Sequence, residues 1–277
     1  MGGKTAFVSG AGAGIGLEIA RGLVRSGYRT ILGVRDQKRG QDAAWDIAQS
    51  VGAKAPEVIV ADYASTASIR EMARTLARQV DRLDVLVNNA GTWSTKRQET
   101  PDGIELVWAT NQLGYFTTTE LLLPLLKNAP KARIVTVASE LARDLDLADV
   151  NFKSRAYSGV ASYAQSKQAN RMWTRALARR LAGTSITANS LHPGGVATGL
   201  FGKGGGLLAR VAGTVASFIG RTPAQGADTA WWLATADDVE GTTGQFFQDR
   251  KEKRCRFVDE AGEEKLYELC ATMTASR

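Results

Sequence analysis

The stretch Ala6-Phe7-Val8-Ser9-Gly10-Ala11-Gly12-Ala13-Gly14-Ile15-Gly16 decides how this chain is read. Residues 6–8 form a short apolar run of the kind that makes a buried strand. From Ile15 to Arg25, Ile15, Ile19, Leu23 and Val24 recur at helical spacing. Between the two, every second residue from Gly10 to Gly16 is glycine. Glycine lets the chain turn tightly and lets backbone approach a ligand closely. The start of the next helix then presents free N–H groups and the positive end of its dipole, the setting in which a pyrophosphate binds. Gly10, Gly14 and Gly16 give G-x-x-x-G-x-G rather than the commoner G-x-G-x-x-G. Strand, glycine turn and helix in this order predict a dinucleotide site on Gly10, Gly14, Ile15 and Gly16.

The same alternation continues outward. Residues 30–32, 58–60, 84–87, 134–137 and 186–191 read as further strands, and 245–247 as a seventh. Helical patterns lie around 42–49, 69–80 and 162–181, with a longer one over 103–126 that Pro124 interrupts. Several strands are continuous apolar runs, as expected when helices cover both faces of a parallel sheet. The expected fold is therefore α/β: a Rossmann-type, doubly wound parallel sheet of about seven strands in a single domain spanning 1–277. Two segments stand outside the pattern. Residues 144–159 are a polar insertion between a strand and a helix. Residues 199–222 are glycine-rich and apolar, with Leu207, Leu208, Val211, Val215 and Phe218 at helical spacing. That segment follows a strand end, where ligand crevices form, and reads as a substrate flap, or alternatively as a packed helix or a subunit contact.

Composition narrows the classes. At 277 residues with 44% hydrophobic and 23% charged residues, the chain can bury a full core, which excludes global disorder. Two cysteines and one histidine make neither a disulfide framework nor a metal set. No apolar run is long enough for a bilayer and no signal-peptide pattern opens the chain, so a cytoplasmic protein without a membrane anchor is expected. The net charge is +7, but its cations are scattered apart from Lys251, Lys253, Arg254 and Arg256. This reads as a solvated face rather than a nucleic-acid patch, and it would also attract a polyanionic cofactor.

Two local patterns carry chemistry. At the end of the second strand, a carboxylate would bind a ribose 2′-hydroxyl and select NAD; Val34 and Arg35 stand there instead. An arginine pairs with a 2′-phosphate, so NADP(H) is favoured, with Asp36 expected to point away. Tyr163 and Lys167 lie four residues apart on a predicted helix and share a face. A tyrosine ionises near pH 10, too high for a base at neutral pH, and a neighbouring ammonium is expected to lower that value. Such a phenol protonates a carbonyl oxygen as hydride arrives, or deprotonates an alcohol in reverse.

With these motifs in order, the sequence resembles the short-chain dehydrogenase/reductase family over nearly its whole length. Ser9–Gly16 matches the family's Thr-Gly-x-x-x-Gly-x-Gly with Ser9 in place of Thr, and Asn88-Asn89-Ala90-Gly91 matches its Asn-Asn-Ala-Gly. Ser139, Tyr163, Lys167 and Asn111 match its catalytic positions, and the segment from Pro193 through Val196 to Thr198 its Pro-Gly-x-Val-x-Thr. Val34-Arg35-Asp36, residues 110–116 and the long gap from Ser139 to Tyr163 resemble the retinol-dehydrogenase-like branch.

The resemblance implies an NADP(H)-dependent interconversion of a ketone or aldehyde and its alcohol, on a bulky apolar small molecule. Tyr163 would be the general acid/base, Ser139 a donor to the substrate oxygen, and Lys167 the ligand of the nicotinamide ribose. Asn111, through its side chain or a kink in its helix, would hold a water that links Lys167 to solvent. Cofactor contacts would come from the glycine turn, Arg35, Asp62, Tyr63, Asn89, Ala90, Gly91, Pro193, Val196 and Thr198. Trp93, Phe152 and Tyr157 are candidates for the substrate pocket, His192 for a packing role, and Trp231 and Trp232 for the core. The alternatives are a non-catalytic NADP(H)-binding regulator and an epimerase or dehydratase on the same fold. A homo-oligomer would suit the long amphipathic helices.

Overall fold

A computed structural model of the chain describes residues 3–195 and 221–275. Its first strand, β1 (Thr5–Ser9), shows why the fold needs two cores. Ala6 and Val8 face one apolar cluster and Phe7 faces another, so both sides of the strand are buried. The same holds for β2 (Arg29–Val34), β4 (Val85–Asn88), β5 (Ala132–Val137) and β6 (Ile186–Leu191). With β3 (Glu57–Val60), β7 (Phe246–Gln248) and β8 (Lys251–Lys253), they form one eight-stranded sheet in the order β3-β2-β1-β4-β5-β6-β7-β8. All pairs are parallel except β7 with β8. The order reverses between β1 and β4, which opens a crevice at their carboxyl ends, where a doubly wound sheet binds its ligands.

Helices α1 (Gly14–Arg25), α2 (Gln37–Val51) and α7 (Pro223–Thr235) cover one face. The other carries α3 (Thr66–Gln79), α5 (Gly114–Lys127), α6 (Gly159–Arg180) and α8 (Glu260–Ala275). Helix α2 starts earlier than its apolar pattern suggests because the Asp36 carboxylate accepts a 2.8 Å hydrogen bond from the Arg39 amide. A cap of this kind is worth about 1 kcal/mol.

The structure corrects several expectations. The sheet has an eighth strand, invisible to apolar patterning because Lys251, Glu252 and Lys253 are all exposed. A hairpin makes it: Gln248 pairs with Lys251, and Asp249 and Arg250 between them have φ of 55° each, the primed-turn geometry that suits strand twist. A charged strand also blunts the sheet edge against foreign pairing. Pro124 does not interrupt its helix and lies inside the last turns of α5. The interruption falls earlier, where the short α4 (Leu106–Trp108) runs into a π-helical turn, Ala109–Leu113, before α5. Trp231 and Trp232 are half-buried at the rim rather than in the core. Trp231 lies over Gly22 and donates to Ser26 Oγ at 2.9 Å, and Trp232 meets Phe247 edge-on. Of the expected flap, residues 199–220 lie outside the described residues.

Helix α8 is pinned by charge. Glu263, fully buried, accepts from Arg175 Nε at 2.8 Å and from the Arg179 guanidinium, both on α6. Removing one partner of a buried ion pair strands the others without compensation. Glu263→Gln is therefore expected to lower the free energy of unfolding by about 3 kcal/mol, read as a shifted denaturant midpoint at unchanged slope.

Candidate active site

The crevice begins at the glycine turn. Gly10 and Gly14 have φ of +68° and +60°, in the region that favours glycine. A Cβ on Gly10 would sit 2.8 Å from Ala90 Cα, and one on Gly16 would strike the Gly10 carbonyl and the Asn89 amide. Side chains are therefore excluded where the turn meets the end of β4. Ser9 locks that meeting: its hydroxyl accepts from the amides of Asn89 at 2.8 Å and Ala90 at 3.0 Å and donates to Val87 O. The Asn89 side chain donates back to Ser9 O at 2.9 Å. Helix α1 follows Ala13, which offers no side-chain cap, and has no acid in its first turn, so its first amides stay available to an anion. A bare cradle ending on an uncapped helix fits a nicotinamide dinucleotide.

The flanking residues agree in part. Arg35 and Arg39 are exposed beside the turn, Arg39 Cβ lying 4.0 Å from where a Gly12 side chain would start, and neither has an acidic partner among the described residues. Asp36 turns to α2 as its cap. Asp62 shapes its own loop, accepting from Ala64 N at 3.0 Å. The Tyr63 ring is packed in the core beneath Gly33 and Phe7, so a cofactor contact there falls to its main chain. Gly194 has φ of +84° and Gly195 O accepts from Arg221 N at 2.7 Å, which places Pro193 at the end of β6. Val196 and Thr198 lie outside the described residues.

Deeper in the crevice, Ser139 and Tyr163 are both buried, with the Ser139 hydroxyl near enough to the phenol to pull on its proton. The Trp93 ring stands 5.6 Å from the Tyr163 ring at 58°. Lys167 is 4% exposed and donates to Val137 O at 2.8 Å and to Asn170 Oδ1 at 3.1 Å. Its ammonium sits 5.2 Å above the Tyr115 ring and 5.8 Å from the Tyr163 ring. Asn111, in the π-turn, is fully buried: its amide donates to Thr92 O and Ser166 Oγ, and its Oδ1 accepts from Thr92 N at 2.8 Å. The extra residue of a π-turn aims this side chain at the strand end and at α6 together, and such turns are frequent at functional sites.

The electrostatics differ from the expectation of an acidified phenol. Burial pushes Tyr163 up to about 12, against the downward pull of the Ser139 hydrogen bond. Burial also brings Lys167 down to about 7. Lys167 spends its protons on Val137 and Asn170 rather than on Tyr163 Oη, so desolvation outweighs the charge effect. At neutral pH Tyr163 is a protonated donor.

Several supporting residues carry no sequence motif. Arg171, 2% exposed, donates to Ser139 O and lies flat on Phe246, while Glu140 N donates to His192 Nδ1 at 3.2 Å. Together they hold the Ser139 loop, and burial pulls His192 below its usual range, so it serves as a neutral acceptor. Glu105, wholly buried, accepts from Val107 N, Trp108 N, Ser162 Oγ and Tyr157 Oη, joining α4 to the start of α6. The insertion folds around Asp149, whose carboxylate takes the amides of Lys153, Ser154 and Arg155 and is pulled down to about 2. Phe152 is buried there under the Arg155 guanidinium and edge-on to Tyr157, whose hydroxyl donates to Ser94 O at 3.1 Å and to Glu105.

The family model for short chain dehydrogenase matches residues 4–204. The chain belongs to the short-chain dehydrogenase family. Within this family of oxidoreductases acting on CH–OH and C=O groups with a nicotinamide cofactor, it falls in the retinol-dehydrogenase-like branch. It is 39% identical to mouse (Mus musculus) retinol dehydrogenase 14 over 290 residues, covering 99% of this chain and 86% of that protein. It is 36% identical to mouse polyprenol dehydrogenase, covering 90% and 77% of the two chains. Among solved structures, an uncharacterised protein from Mycobacterium paratuberculosis superposes with a TM-score of 0.76 at 32% identity, over 98% of this chain and 93% of that one. The RhlG–NADP complex of Pseudomonas aeruginosa superposes at 0.67 with 27% identity, over 89% and 94%. No helix among the described residues of this dehydrogenase is long and apolar enough to cross a membrane.

The depressed Lys167 makes a stability prediction. Between about pH 7 and its ordinary 10.5, the unfolded chain binds a proton at Lys167 that the folded chain does not, so this group's contribution to stability rises with pH across that window. In denaturant titrations of cofactor-free protein, the wild type should gain on Lys167→Met steadily from pH 7 to 10. A constant difference between the two would show that Lys167 is not desolvated.

Proposed function

We propose that the protein is an NADP(H)-dependent reductase of a bulky, apolar ketone or aldehyde, with Tyr163 as general acid/base. The observation that carries the proposal is that Ser139, Tyr163 and Lys167 are buried together, the Lys167 ammonium 5.8 Å from the Tyr163 ring, at the carboxyl end of a sheet whose glycine turn leaves a bare helix N-terminus. When bound, the cofactor supplies the hydride. Ser139 donates to the substrate oxygen and steadies the charge that grows there. Tyr163, protonated at neutral pH, delivers its proton to that oxygen, and with NADPH as the cell's usual reducing pool the reaction runs as a reduction. Lys167 engages the nicotinamide ribose and compensates the phenolate once the proton has left. Trp93, against the Tyr163 ring, supplies an apolar wall.

Support for NADP(H) comes from Arg35, just past the end of β2, and Arg39, in the first turn of α2, both free of acidic partners among the described residues. Arg35→Asp replaces a 2′-phosphate partner with a repelling carboxylate, so it should reverse the order of NADPH and NADH affinities. Calorimetric titration of both cofactors against wild type and variant reads this. The apolar character of the substrate is supported by Trp93 and by the names of the relatives. Reduced, buried Cys255 and Cys270 suit the cytoplasm.

All-trans-retinal, other aldehydes, aryl ketones, quinones and steroids form the substrate panel, with NADPH oxidation followed by absorbance. Tyr163→Phe should lower turnover by at least about 100-fold while leaving NADPH affinity within a few-fold, since only the proton donor is lost. Full turnover in that variant would remove Tyr163 from the mechanism. A wild type that retains cofactor and rearranges or dehydrates a substrate without net oxidation would favour an epimerase or dehydratase. One that binds cofactor and turns over nothing in the panel would favour a regulator.

A further inference from the structure

Asn170 lies one turn beyond Lys167 on α6, on the same face. It is fully buried, and all of its amide is used. Its Oδ1 accepts from Lys167 Nζ at 3.1 Å. Its Nδ2 donates to the main-chain carbonyl of Asn111 at 2.8 Å and to Gln112 Oε1 at 2.8 Å. The orientation is determined by chemistry: an ammonium has only protons to offer, and both partners on the other side are oxygen acceptors. Gln112 is anchored in turn by Cys270 Sγ of α8, 3.6 Å from its Nε2. The amide therefore spans the gap between the lysine and the π-turn carbonyl directly, where the family resemblance implies a water. We infer that Asn170 is the positioning residue of this site: its side-chain amide holds the Lys167 ammonium against the π-turn of Asn111.

The consequence follows from electrostatics. No carboxylate reaches Lys167 among the described residues, so its charge is carried by neutral oxygens, those of Val137 and Asn170. The titratable groups that face it are the phenols of Tyr163 on its own helix and Tyr115 on α5. Removing one of two acceptors from a buried ammonium disfavours the charged form, and a carboxylate in that place favours it. The two substitutions must therefore move Lys167 in opposite directions, which a merely structural role for Asn170 would not do.

The importance of Asn170 for catalysis rests on the reading of Lys167 given above, and the test separates the two. The chain is labelled with carbon-13 at lysine Cε, Lys167 is assigned by the signal lost in Lys167→Met, and its titration is followed from pH 5 to 11. Asn170→Ala should lower the Lys167 midpoint, and Asn170→Asp should raise it, each by at least about half a pH unit. Asn170→Ser replaces the alanine variant if that one fails to fold, with the same expected direction. An unmoved midpoint, or both variants shifting the same way, overturns the inference. Turnover of the carbonyl panel by Lys167→Met is measured alongside. Its loss together with unmoved midpoints rejects Asn170 and keeps the catalytic reading. Its retention rejects the catalytic reading, while the titration still decides the role of Asn170.

Discussion

The site depends on burying one ammonium without a counter-ion. Lys167 is almost wholly desolvated, and what compensates it is a carbonyl from β5, an amide oxygen from its own helix and the face of the Tyr115 ring. A ring at this distance is worth about 1 kcal/mol to a cation and each charge-assisted hydrogen bond about 2 kcal/mol, against a desolvation cost of several. The balance explains why Lys167 falls to about 7 while burial pushes its neighbour Tyr163 up to about 12. The cofactor-free site is thus a neutral phenol beside a lysine whose charge burial disfavours. That state suits a proton donor awaiting a substrate oxygen better than a base awaiting an alcohol.

The architecture around this charge explains why so much of the chain converges on it. Helix α6 carries Tyr163, Lys167, Asn170 and Arg171 within little more than two turns, so its placement governs the whole site. Three elements fix that placement. The π-turn at Asn111 clasps it through Ser166 and Asn170. Buried Glu105 holds its start through Ser162. Helix α8 holds its far end through Glu263, which takes Arg175 and Arg179. Ser139 is then brought to Tyr163 by Arg171 of the same helix. A rigid scaffold of this kind keeps a donor and an acceptor within reach, which is where most of the catalytic advantage of positioning lies.

Much of the fold and of the site was legible in the residues because it rests on local rules. The glycine turn needs residues without Cβ at Gly10 and Gly16, and the steric reason is visible in the clashes a side chain would make with Ala90 and the turn itself. Buried strands show as apolar runs and Tyr163–Lys167 as a helical pair. What escaped notice depends on contacts distant in sequence or on exposed polar residues. The strand Lys251–Lys253 has no apolar face to announce it, and its turn uses Asp249 and Arg250 in place of an Asn-Gly signal. Residue patterning puts the helix break at Pro124, because proline marks a break by composition; a kink at Asn111 comes only from the family resemblance, since the π-turn there is imposed by the side-chain bonds of Asn111 to Thr92 and Ser166. The expected acidification of Tyr163 assumed that adjacency on a helix face brings charges together; desolvation of both groups proved the larger effect. Asn170 and Arg171 gave no signal beyond their helical spacing from Lys167, since each acts through partners 32 to 59 residues away.

The claim that hydride moves between cofactor and carbonyl is tested most directly by following the atom itself. NADPH carrying deuterium at both positions of nicotinamide C4 is incubated with the protein and a mixture of aldehydes and ketones, and the alcohols formed are read by mass spectrometry. The account predicts a single deuterium on the carbinol carbon of the product. Alcohol lacking the label, or none formed by protein shown to hold the cofactor, would contradict it.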